Sequence, residues 1–119
     1  MATKAEIRNR AANELGVLRL GQSLQSQDVT RIESAYDELY EELKEDGLAT
    51  WPSTGSVPSK LVNYVAFLVA LRCSTTYGIS ENRQARIEKV TGVDGQKALR
   101  EIRKFITPKY TSRENARDY

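Results

Sequence analysis

Apolar residues recur at helical intervals almost from the start of the chain. Thr3 and Glu6 have the spacing of a capping box, Ile7, Ala11 and Leu15 then return about once per turn, and Gly16 stands where a C-cap glycine would. This pattern predicts a first helix over 4–15. The connection "GVLRLGQSLQSQ" reads as a loop, with an apolar fragment from Val17 to Leu20 able to pack as an extended piece. Asp28 is placed to cap a second helix in which Val29, Ile32, Tyr36, Leu39 and Leu43 form one stripe, and Gly47 is placed to end it. The stretch "TWPSTGSVPS" has the composition of a chain reversal.

A third helix, over about 58 to 76, is expected to open at Pro58 and is apolar nearly all round until Arg72, which predicts a central, buried position. Gly78 stops it. Ser80 is placed to cap a short polar helix to about Val90, and Asp94 a last one in which Ala98, Leu99, Ile102, Phe105 and Ile106 share a face before Pro108 ends it. No alternating strand pattern, fixed-period repeat or low-complexity tract appears. The expected fold is therefore all-α: a single bundle of four or five helices over residues 1–106, with an extended C-terminal arm over 107–119.

With 119 residues at 39% hydrophobic, the chain suits one domain with a sizeable core. Its longest apolar run, "LVNYVAFLVAL", is 11 residues and contains Asn63, against the roughly 20 apolar residues that cross a bilayer. A core helix is expected, with no membrane role. The opening "MATKAEIRNRAANE" has charges of both signs and no apolar h-region, so synthesis in the cytoplasm of a cell is the expectation. One cysteine, Cys73, and no histidine leave no intrachain disulfide and no cluster of soft metal ligands, and Cys73 reads as a small core residue.

The charges are unevenly distributed. Glu33, Asp37, Glu38, Glu41, Glu42 and Glu45 fill a continuous arc opposite the apolar stripe of the second helix, and from Asp28 to Asp46 eight acids face only Arg31 and Lys44, a formal charge of −6. From Arg72 to Tyr119 the balance is +5, with Lys97, Arg100, Arg103 and Lys104 on the outer face of the last helix. A net charge of +2 thus conceals a dipolar molecule. An acidic flank and a basic flank on one small protein suit head-to-tail packing of identical copies, in which unlike patches on neighbours meet and the ring closes if the rotation permits.

General acid–base work at neutral pH usually calls on histidine, and the paired carboxylates sit in a run with no apolar pocket to raise a pKa. P-loop, dinucleotide-binding, zinc-protease, C-x-x-C and EF-hand patterns are missing from the sequence, so neither catalysis nor a cofactor or metal is expected. A small helical nucleic-acid-binding protein is the alternative: Lys97, Arg100, Arg103, Lys104, Lys109, Arg113 and Arg117 make the last third basic, and Tyr110 and Tyr119 can stack. The acidic helix would repel phosphate.

The order of features resembles a family. A first helix ending in "ELGV", a loop, an amphipathic helix ending in "LKEDGL" with a tryptophan just after ("ATW"), a proline turn and the long apolar helix "LVNYVAFLVALRC" look like the head-to-tail adaptor, or connector, proteins of tailed bacteriophages. They are most like the tail accessory factors of short-tailed phages. The likeness covers about residues 4 to 78 and rests on the order and spacing of these short motifs.

The resemblance implies a helical structural virion protein without catalysis, at the head–tail interface. Copies would form a ring of roughly twelve beneath the portal protein. That ring extends the DNA channel, helps retain the packaged genome and gives downstream tail or nozzle proteins a platform, while double-stranded DNA passes through without sequence-specific binding. By the same resemblance Thr107, Lys109, Tyr110, Arg113, Arg117 and Tyr119 belong to a portal-binding arm, whose 13 residues reach on the order of 40 Å when extended. The acids from Glu33 to Glu45 become a channel lining or subunit contact. Arg83, Lys97, Arg100, Arg103 and Lys104 become the opposing basic subunit-contact face.

Overall fold

A computed structural model describes residues 2–18 and 23–106. They form five α-helices, α1 (Lys4–Leu15), α2 (Ser26–Glu45), α3 (Val62–Tyr77), α4 (Glu81–Thr91) and α5 (Gln96–Ile106), with two very short strands, β1 (Ala2–Thr3) and β2 (Gly55–Val57). The all-α expectation holds. The arm and Pro108 lie outside the described residues.

α3 is the axis of the bundle. Its residues from Val65 to Ala70 are buried without a break, followed by Cys73 and Ser74, so the helix has no solvent side through its middle. α1, α2, α4 and α5 all pack on it. Cys73 is a core residue, as expected, and burial pushes its thiol up from the ordinary range.

α1 follows the expected boundaries. The Thr3 hydroxyl accepts from the Glu6 backbone N–H at 3.2 Å and donates to the Glu6 carboxylate at 3.3 Å, and Ile7, Ala11, Ala12 and Leu15 are buried. Both α1 and α2 end in a left-handed glycine. Gly16 and Gly47, with φ of 82° and 74°, donate to Asn13 and Lys44 carbonyls, while Val17 and Leu48 donate to Ala12 and Leu43. This double bond satisfies orphan carbonyls at the helix end. It also turns Leu48 into the core, and Val17 and Leu18 pack at its edge.

Five expectations need correction. α2 begins at Ser26 after an extended Gln25 that makes no side-chain cap, so Asp28 is not the cap residue. It sits in the first turn, where a carboxylate suits the helix dipole, and accepts from the Tyr77 hydroxyl at 2.7 Å, tying α2 to the far end of α3. Pro58 precedes a 3₁₀ turn, Ser59–Leu61, rather than opening the α-helix. Asp94 does not cap α5: it lies in a second 3₁₀ turn at φ 57°, a left-handed conformation that Asp tolerates, and α5 starts at Gln96 after Gly95. Phe105 is 40% exposed rather than in the core, where α5 contributes Ala98 and Ile102 fully and Leu99 and Ile106 in part.

The fifth correction is the strand pair. Ala2 pairs antiparallel with Val57 and Thr3 with Gly55. A Cβ at Gly55 would come within 2.8 Å of the Thr3 backbone, so only glycine admits this approach. Strands of two and three residues are too short to show alternation.

Trp51 closes one end of the core through specific partners on α2. Its indole N–H donates to the Tyr36 hydroxyl at 3.3 Å, and its carbonyl accepts from the Tyr40 hydroxyl at 2.7 Å. Tyr36 stacks on Tyr40, whose ring meets the indole edge-on at 6.5 Å. Burial pushes the Tyr36 hydroxyl up, against the lowering effect of the indole bond. Trp51→Ala should cost about 3–5 kcal/mol in urea unfolding followed by circular dichroism. Tyr36→Phe, which strands the indole N–H, should cost about 1–3 kcal/mol. A smaller loss for Trp51→Ala than for Tyr36→Phe would refute this arrangement.

The Tyr77 hydroxyl is pushed from its ordinary 10.0 up to about 12, by burial first and then by the hydrogen bond and charge of Asp28. Tyr77 therefore contributes stability that is intact below pH 10, where neither state ionises. The contribution fades as pH rises from 10 to about 12, where the unfolded chain ionises and the folded chain resists. Urea midpoints for Tyr77→Phe should fall less steeply than wild type across that window, and equal slopes would contradict the assignment.

Candidate functional site

The acidic face of α2 has an internal structure that the helical wheel alone conceals. On one edge Glu33 accepts from Arg8 at 2.6 Å and Asp37 pairs with Lys4 at 2.8 Å, both cations coming from α1. On the other edge Glu38, at 3.8 Å, and Glu42 share the guanidinium of Arg72 on α3. Glu41 and Glu45 lie between these edges, exposed, and make no ion pair among the described residues. Four of the six acids thus have a partner within the molecule, two of them sharing one guanidinium, and the two without an ion pair form a narrow crest. Lys4, Arg8 and Arg72 were missed as its partners. Each lies on a different helix from the acid it meets, and only the packing angle of α1 and α3 against α2 brings them together.

The basic residues are likewise divided. On α4, Arg83 donates to the Glu14 carbonyl at 3.2 Å and lies against Gly16, while Arg86 pairs with the Glu14 carboxylate at 3.2 Å. Lys97 donates to the Lys89 carbonyl at 3.1 Å near the end of α4. Arg83 and Lys97 sit on the carbonyl ends of α1 and α4, where positive charge is favoured. Lys104 pairs with Glu101 on its own helix. Arg100 and Arg103 are exposed on α5 without an ion pair among the described residues, and they are the free part of the expected basic face. Thr107, Lys109, Tyr110, Arg113, Arg117 and Tyr119 lie outside the described residues.

A groove of about 350 Å³ opens between α2, α3 and the start of α5. Leu39, Leu43, Leu68, Leu71 and Leu99 give it an apolar lining, and Glu42, Asp46, Arg72 and Asp94 are the charged residues around it. Reading along the chain did not find this groove, because its walls come from three helices and its leucines look like ordinary core positions. The half-buried state of Leu71 and Leu99 is its trace in the structure. Val93, 74% exposed, precedes Asp94 in the turn before α5. Among the described residues no cluster of three or more His, Cys, Asp and Glu side chains is placed to hold a metal ion, and no helix is long and apolar enough to cross a bilayer.

Comparison of the chain with protein-family models, with curated proteins and with solved structures finds no match.

The two edges of the acidic face should respond differently to mutation. Arg72→Leu removes two exposed pairs and should cost about 1 kcal/mol at low salt, with the loss disappearing near 1 M NaCl. Arg8→Leu leaves the half-buried Glu33 carboxylate unpaired and should cost about 1–3 kcal/mol with weak salt dependence. Urea midpoints at two salt concentrations decide the matter, and identical salt dependence for the two variants would count against the division.

Proposed function

We propose that this chain is a structural virion protein, a head-to-tail adaptor whose copies form a ring under a phage portal protein, extend the DNA channel and support tail attachment. One observation carries the reading: after internal pairing, the molecule keeps free negative charge on the α2 crest at Glu41 and Glu45 and free positive charge on α5 at Arg100 and Arg103. Opposite charges on separate elements of one small bundle suit a heterologous contact between identical copies. The order of motifs over residues 4 to 78 supports the same reading. Because Glu33, Asp37, Glu38 and Glu42 already have partners, the remaining acids favour a subunit contact over a broad anionic channel wall.

Nucleic-acid binding is a second reading, favoured by the exposed Lys97, Arg100, Arg103 and Lys104 along α5. The two readings differ in solution. A charge-paired ring should loosen as the Debye length falls from about 10 Å at 0.1 M salt to about 3 Å at 1 M. A nucleic-acid binder should retard duplex DNA in a gel as an isolated chain, with a steep salt dependence.

Native mass spectrometry with and without a purified portal ring is the direct test. Wild type should load the portal in ring stoichiometry, roughly twelve copies, and the Glu41→Lys, Glu45→Lys double variant should load poorly. A single bound copy, or none, would overturn the adaptor reading, as would full loading by the double variant for the role given to the crest.

A further inference from the structure

We propose that Phe105 of one copy seats in the leucine groove of the next copy, so that a knob and a hole on the same helix generate the ring contact. This rests on the adaptor reading and specifies its interface. Phe105 and Val93 are the large apolar side chains most exposed among the described residues, and Phe105 is not packed on the core. The groove, at about 350 Å³, falls at the lower end of the roughly 300–1,000 Å³ of built binding sites, a size for one aromatic side chain and its immediate neighbours.

Geometry excludes self-filling and favours a copy-to-copy contact. Leu99 lines the groove, and Phe105 follows it by six residues on the same continuous helix. At about 100° per residue, their side chains leave α5 roughly 120° apart. The knob and the hole therefore flank opposite edges of the helix, with Arg100 on the outer face between them. One molecule cannot place its own Phe105 in its own groove. A contact that joins two different patches of identical molecules leaves a free knob at one end and a free hole at the other, so it propagates until it closes.

Charge selects the same occupant. Phe105 stands at the edge of the outer face of α5, which carries Lys97, Arg100, Arg103 and Lys104 against Glu101 as its one acid, whereas Asp46 and Asp94 stand at the groove, neither in an ion pair among the described residues, with the Glu41 and Glu45 crest on the helix that Asp46 caps. A knob on a helix of net positive charge thus meets a hole whose rim keeps two unpaired carboxylates, Glu42 there being paired with Arg72. Burying an aromatic ring at the centre while charges pair at the rim is the arrangement that concentrates binding energy in a protein contact.

Disulfide trapping tests the pairing directly. In a Cys73→Ala background, a Phe105→Cys chain is mixed with an isotope-labelled Asp94→Cys chain, and the products are weighed by mass spectrometry. The mixed dimer should exceed either homodimer by about tenfold, and equal yields or no mixed dimer would overturn the proposal. Sedimentation of the full chain up to ~1 mM should show self-association that Phe105→Ala weakens by at least about tenfold, while the thermal midpoint falls less than for Ala substitution of the fully buried Ile102. Absence of association at that concentration, or an unaffected variant, also overturns it.

Removing residues 107–119 should leave the association intact; if it disappears, the tail is the occupant and the Phe105 assignment is wrong. The two levels of the argument can fail separately. Rings on the portal that persist with Phe105→Ala sink this contact and spare the adaptor reading. A Phe105-dependent association without any loading onto a portal spares the contact and sinks the adaptor reading.

Discussion

A helix that is apolar on every side cannot be stable at a surface, and α3 imposes this constraint on the rest of the molecule. With Val65 to Ala70 buried consecutively, all four other helices must contribute an apolar face to enclose it. Each does so with a narrow stripe, such as Ile7, Ala11 and Leu15 from α1 or Ala98 and Ile102 from α5. The outer surfaces of those helices are thereby released from packing duty and can carry charge. The dipolar character of the protein follows from this division of labour.

α2 shows how the two duties coexist on one element. Its inner stripe supplies Tyr36 and Tyr40, which hold Trp51 by two hydrogen bonds and close the end of the core. Its outer arc supplies carboxylates. The edges of that arc lie close enough to α1 and α3 for Lys4, Arg8 and Arg72 to reach them, and only the crest is too far out for any of these cations. Like-charge crowding along the helix, at a few tenths of a kcal/mol per pair, is offset at the edges and left standing at the crest.

The same enclosure explains the groove. α5 covers α3 with a stripe that is fully buried only at Ala98 and Ile102, so its two flanks are left incomplete. On one flank Leu99 leans toward Leu39, Leu43, Leu68 and Leu71 without filling the space between them, and on the other Phe105 extends past the core. An unfilled apolar hollow and an uncovered apolar side chain are both unfavourable in water for an isolated molecule. Their placement on opposite flanks of one helix allows a neighbour to relieve both.

Periodicity, caps and glycines were enough to read the helices, because these signals act within a few residues. Thr3, Gly16, Gly47, Gly78 and Ser80 each do their work on backbone groups no more than about a turn away, and α1, α2 and α4 fall close to the boundaries they mark. The charge of the α2 arc and the burial of α3 were legible for the same reason: composition along one helix determines them. What required the tertiary structure was every relation between distant segments. Asp28 passes from cap to partner of Tyr77, Asp94 from cap to groove wall, and the arc of six acids divides into four with partners on other helices and a crest of two without an ion pair among the described residues. Gly55 becomes necessary only because β1 lies against it, and Phe105 leaves the core only because α5 settles on α3 along Ala98 and Ile102. Local hydrogen bonding and apolar repeats decide which residues become helical, whereas the pairing of charges and the existence of a hollow depend on how rigid helices of fixed shape pack around α3.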